Sequence, residues 1–155
     1  MTQQQTPPPA LTELKLTPEI KDAVNGSFMG GNPVIVAYVN EQGQPSVSFR
    51  GSAQAYSDHQ LAVWVRNPDG GILKGVNKNP NITIMYRNPN PEARAIITFK
   101  GKGRIDESAD ARKAVYDNSP EPERNADREQ KGKALIIDLE SVDGFMPGAR
   151  LQMRK

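Results

Sequence analysis

The chain contains no cysteine among its 155 residues, which excludes a disulfide framework, a thiolate metal site and a cysteine nucleophile. It has one histidine, His59. A transition-metal site therefore has few imidazole ligands to draw on, and a Ser-His-Asp triad would need that residue as its base. His59 stands in turn sequence beside Asp58, which argues against that role. No apolar run approaches the roughly 18 residues that would suggest a membrane span. Neither sign of charge dominates: 20 basic and 18 acidic side chains leave a formal net charge of +2, too balanced to imply nucleic-acid binding by itself. Met1 to Ala10 lacks the basic-then-apolar pattern of a secretory signal, so the expected compartment is the cytoplasm.

What is present fits one domain of ordinary size. Hydrophobic residues at 36% and charged residues at 25% place the chain in the globular class. The mean hydropathy of -0.64 points to a small core that subunit association would enlarge. Residues 1–10 are expected to be a disordered tail, because Pro7-Pro8-Pro9 favours extended polyproline geometry. Residues 11–155 are then a single domain. A helix is expected from Pro18 to Val24, capped by Thr17 and ended by Asn25-Gly26. Strands follow at 34–39, 45–49, 61–65, 82–86, 94–105 and 134–139, with short helices at 71–77 and 108–117. In the second strand Val47 and Phe49 share one face, and Ser46 and Ser48 the other. Residues 118–132 are polar and Pro-rich and read as a surface loop or lid. Strands in sequence with few crossover helices argue for a mainly β fold, an antiparallel barrel or sandwich.

Four constellations could carry chemistry. Arg50 ends a strand before Gly51-Ser52, Arg66 ends another before a Gly-rich turn, and Lys74 sits early in the helix that follows. These cations could converge on a phosphate near the free amides of the helix start; solvated strand-end cations are the plainer reading. Lys100, Lys102 and Arg104 alternate along one strand and so face one way, with Phe99, Gly101, Gly103 and Ile105 opposite. Such glycines mark close approach by another backbone or a ligand, and the charges suit a solvent-facing edge. Trp64, in a strand apolar throughout, is expected to pack in the core before it stacks on a cofactor. No P-loop is present, and Gly101-Lys102-Gly103 opens no helix, so it is no dinucleotide fingerprint.

Taken in order, these segments resemble the pyridoxamine 5′-phosphate oxidase-like family of flavin-binding split barrels. The resemblance is carried by Pro45-Ser46-Val47-Ser48-Phe49-Arg50-Gly51, Leu61-Ala62-Val63-Trp64-Val65-Arg66 and Leu73-Lys74 ahead of Asn79-Pro80-Asn81-Ile82-Thr83-Ile84. Gly101-Lys102-Gly103-Arg104-Ile105 and the stretch from Ile136 to Phe145 complete it. It spans residues 17–146 and implies a six-stranded antiparallel Greek-key split barrel. It also implies a homodimer with FMN in clefts between subunits, and flavin-dependent oxidoreduction of a small-molecule substrate. On this resemblance Arg50 and Lys74 would hold the cofactor phosphate and Arg66 would reach toward it. Ser48, Phe49, Gly51, Trp64 and Val65 would lie along the ring system. The substrate-binding residues of true pyridoxamine phosphate oxidases are not evident. A deazaflavin coenzyme, its tail on Lys100, Lys102 and Arg104, is an alternative. Haem on His59, a non-enzymatic flavin-binding or stress-associated role, and a cofactor-free fold are others.

Overall fold

The alternating strands of the sequence assemble around one long ladder. In the computed structural model, which describes residues 6–155, the chain opens with β1 (Ala10–Glu13), α1 (Pro18–Asn25), β2 (Val34–Val39) and β3 (Pro45–Arg50). Next come β4 (Gln54–Ser57), β5 (Gln60–Val65), α2 (Gly71–Lys78), β6 (Asn81–Asn88) and β7 (Ala95–Asp106). It closes with α3 (Ala109–Asp117), α4 (Glu121–Asn125), β8 (Lys133–Met146) and β9 (Ala149–Arg154). The first half of the expected tail, residues 1–5, lies outside the described residues.

The six expected strands form one antiparallel path, β3-β2-β6-β7-β8-β5. Three strands not foreseen extend it. β4 pairs with β5, β9 pairs with β8, and β1 lies parallel to β9, so the sheet as a whole is mixed. β8 reaches both ends of this arrangement because it is 14 residues long. Its start, Lys133 to Asp138, pairs with β5, and its end, Ser141 to Met146, pairs with β9. The changeover falls at a bulge opposite Lys100 and Gly101. There the backbones approach so closely that a Cβ on Gly101 would overlap the carbonyl of Asp138, the close approach that the glycines of this strand suggest.

Helix α1 forms where expected. Thr17 Oγ1 accepts from the Ile20 amide at 3.3 Å, Pro18 occupies the first turn, and Gly26 closes the end. Its buried face is Ile20 and Val24, both fully enclosed; each contributes about 1.5–3 kcal/mol by burial. The main core fills the barrel, with Val36, Leu61, Val63, Ile84, Ile97, Phe99 and Ile137 among its members. A second cluster lies outside the barrel wall, where α3 covers Ala62, Trp64, Ala134 and Ile136 with Val115 and Tyr116.

The 118–132 segment, read from sequence as a loop or lid, contains α4 and is fastened to the barrel. Asp127 accepts from Trp64 Nε1 at 2.9 Å and from the amides of Gly132 and Lys131 at 2.9 and 3.0 Å. Arg112 of α3 donates to the carbonyls of Gly132 and Gln130 at 2.7 and 2.9 Å.

Candidate functional site

The site grows from the turn after β3. Arg50 is the last residue of that strand, and Gly51-Ser52-Ala53 leads into β4. Ser52 is buried and its hydroxyl clasps β5: it accepts from the Trp64 amide at 3.0 Å and donates to the Trp64 carbonyl at 2.9 Å. Ser52 lies two residues beyond Arg50, and Trp64 two residues before Arg66. This clasp therefore brings the two arginines, 16 residues apart in sequence, to one end of the barrel.

Register fixes which way the β3 side chains point. Ser48 is opposite Val36 and Arg50 opposite Val34, and both valines are fully buried, so Ser48 and Arg50 face inward. Arg50 Nε donates to Ser48 Oγ at 3.1 Å. Burial pulls the Arg50 guanidinium below its ordinary value; Tyr38 and Glu123 oppose this, and neighbouring Arg66 adds to it. Arg66 Nε stands 3.7 Å from Glu123 Oε2, with the Arg66 side chain 52% exposed and that of Glu123 16%. Gly51 forms the floor: a Cβ there would stand 2.5 Å from Glu123 Oε1 and 2.8 Å from the Phe28 ring.

Helix α2 begins beside this cluster. Gly70 caps it with no side-chain bond to the first amides, and a Cβ on Gly71 would lie 3.6 Å from the Tyr38 hydroxyl. Lys74 lies one turn along the exposed face that Gly71 begins. Two guanidiniums at one end of the barrel suit an anion. The uncapped start of α2, which lies against the same Tyr38 that acts on Arg50, adds free amides. The donor set thus fits a phosphate group, with one carboxylate, Glu123, already against it.

The other expected site residues fall elsewhere. Phe49 points to the opposite face of β3 from Ser48 and Arg50 and is 69% exposed. Trp64 and Val65 are 2% and 1% exposed, so their side chains have no surface to offer a ring. Trp64 meets Tyr116 edge-on at 5.3 Å, and the Arg112 guanidinium lies over it at 5.2 Å. Lys102 and Arg104 face solvent as the alternation requires and pair with Glu140, and with Asp138 and Asp106. His59 is exposed at the turn between β4 and β5.

Sequence reasoning missed Ser52, Tyr38 and Glu123. Tyr38 carries a signal, since its period-2 spacing from Val34 and Val36 puts it on their face. Ser52 and Glu123 act through contacts 12 and 57 residues away, for which local pattern holds no sign. Among the described residues no group of three or more His, Cys, Asp or Glu could hold a metal ion, and no helix is long and apolar enough to cross a membrane.

No family model and no curated protein matches the chain. Solved structures do. HupZ of Group A Streptococcus aligns over 86% of this chain and 97% of its own, at 21% identity and a TM-score of 0.65. A Clostridium acetobutylicum protein related to general stress protein 26, of the pyridoxinephosphate oxidase family, aligns over 89% and 96% at 11% identity and a TM-score of 0.60. An FMN-binding protein from Syntrophomonas wolfei aligns over 81% and 86% at 7% identity and a TM-score of 0.61. Sequence identity this low speaks for architecture alone, and by architecture the chain has the split-barrel fold of the pyridoxamine 5′-phosphate oxidase-like proteins.

Proposed function

We propose that the chain binds FMN, with the phosphate at the Arg50–Arg66 end of the barrel, and acts as a flavin-dependent oxidoreductase on a small molecule. The observation that supports this most directly is the Ser52 clasp, which sets the two arginines at one end of the barrel. When bound, the flavin would supply the hydride or electron transfer. The protein's part is to hold it. Arg50, oriented by Ser48, and Arg66 would take the phosphate oxygens. The amides that open α2 would add to them, with Lys74 a turn further along the same face. Gly51 leaves room for close approach along the turn.

A second copy of the chain would complete the cleft. The outer face of β3, β2 and β6 carries a registered row, Phe49 opposite Ile35 and Ile35 opposite Met85, and all three are exposed. An apolar face of this kind on a soluble protein marks an association surface. Phe49 directly precedes Arg50, so a partner seated on that row would border the anion site.

An absorption spectrum during titration with FMN tests the reading. Bands near about 375 and 450 nm that co-purify, or that shift on addition, support it; a spectrum that never changes removes it. Arg50→Ala should weaken FMN at least tenfold, since a charged hydrogen bond contributes about 1.5–3 kcal/mol.

A further inference from the structure

We propose that Glu123 is the site's own anion, a carboxylate standing where a ligand phosphate would stand, which must be displaced before one binds. The site would then take phosphate monoesters and reject singly charged carboxylates. This rests on the Arg50–Arg66 pair being an anion site, and it names what that site selects.

Position is the first support. One oxygen of Glu123 is 3.7 Å from Arg66 Nε, and the other lies against Gly51, next to Arg50. The carboxylate thus stands beside Arg66 and close enough to Arg50 to act on its charge. Enclosure is the second. At 16% side-chain exposure Glu123 is the least exposed carboxylate among the described ion pairs, where the others run from 26% to 75%. The third is a shallow support. Helix α4 has five residues, no buried side chain and no side-chain bond at its start. It is held to the end of α3 by hydrogen bonds, the Tyr116 hydroxyl donating to the Arg124 carbonyl and Arg124 to the carbonyls of Ser119 and Asp117. A swing of the Glu123 side chain therefore opens neither core, while Asp127 keeps the far end of the segment fastened.

Selection follows from charge. A phosphate dianion offers two guanidiniums more than one carboxylate does and replaces it. A monoanion offers no more than Glu123 already gives and gains nothing by entering. Uncharged groups meet no competitor and no attraction.

Calorimetric titration of the full chain with inorganic phosphate, with acetate and with FMN decides the matter. Glu123→Gln should tighten phosphate about tenfold or more, a change of about 1.4 kcal/mol, and should let acetate bind where the parent chain does not. Arg66→Ala should abolish phosphate binding in either background. Phosphate affinity unchanged or weakened in Glu123→Gln overturns the proposal, and so does phosphate binding to neither form. Tightened phosphate with no FMN binding leaves the internal anion standing and removes the flavin. Equal FMN binding by both forms with unchanged phosphate does the reverse. Emission from Trp64, the one tryptophan, verifies that each variant keeps the packed segment.

Discussion

The outer wall of the barrel divides into two halves that carry the same kind of side chain under different cover. On one half, Ala62 and Trp64 of β5 and Ala134 and Ile136 of β8 lie beneath α3, and none is more than 2% exposed. On the other, Val47 and Phe49 of β3 are 70% and 69% exposed, Met85 of β6 41%, and Ile35 of β2 37%. The chain supplies a helix between β7 and β8 and lays it over the strands it serves. Among the described residues it lays no element over the β3 side. One half is closed by the fold, and the other is the face on which we propose a second copy docks.

Unfolding measurements separate the halves most sharply. Ile136→Ala should cost about 2–5 kcal/mol, as truncations in closed cores do. Phe49→Ala should stay within about 0.5 kcal/mol, as exposed sites do, when urea unfolding is followed at concentrations too low for association. Equal costs at the two positions would mean that the β3 half is covered in solution by the chain itself.

Association sharpens the contrast from the other side. Replacing Val47 and Phe49 together by Lys should weaken self-association about a hundredfold, near 2.7 kcal/mol, measured by sedimentation equilibrium. Folding should be untouched, because lysines are at home on an edge strand. An unchanged dissociation constant would move the contact between copies away from this face.

How far the sequence reveals this depends on the kind of contact. Period-2 runs such as residues 34–39 and the glycine-marked strand through Gly101 and Gly103 announce their own geometry, and their boundaries match within a residue or two. β9 shows the same alternation, with Leu151 and Met153 buried and Gln152 exposed, yet it is six residues long and follows a longer apolar run that hides it. β4 is short and half polar; only its pairing with β5 makes it a strand. In β3 the alternation separates Val47 and Phe49 from Ser46 and Ser48 without saying which pair faces in. The usual rule would bury the apolar pair. The serines and Arg50 are inward here because Ser48 and Arg50 stand opposite the buried Val36 and Val34, at the end of the barrel where we propose the anion site. Two of its cations were legible because strand ends are; Glu123 was not, because nothing local ties it to Arg66.

The latch on the covered half gives a pH test. Burial pushes the Asp127 carboxyl up, but bonds from Trp64, Gly132 and Lys131, with Arg66 nearby, outweigh it and hold the group below its ordinary value. A carboxyl depressed in the folded state adds stability that is complete above the unfolded value of about 3.9 and fades as pH falls through the folded one. Trp64 emission should therefore shift in acid in the parent chain. Asp127→Asn should lose about 1–3 kcal/mol at neutral pH and show a smaller acid-dependent change. An identical acid response in the two proteins would assign the transition to another carboxylate.

The smallest effect separates two neighbours on α3. Arg112 bonds the segment's carbonyls and lies over Trp64. Lys113 pairs with Asp117 at 2.6 Å, but the two side chains are 78% and 50% exposed. A pair so open to solvent is worth about 0.5 kcal/mol or less, so Lys113→Ala should be nearly silent in urea unfolding. Arg112→Ala should cost about 1–3 kcal/mol, since it leaves two carbonyls without their charged donor. Covering the wall is thus work for the face of α3 that meets β5 and the returning segment. A measurable loss at Lys113 comparable to that at Arg112 would show the helix to be held by its own surface charges rather than by the wall beneath it.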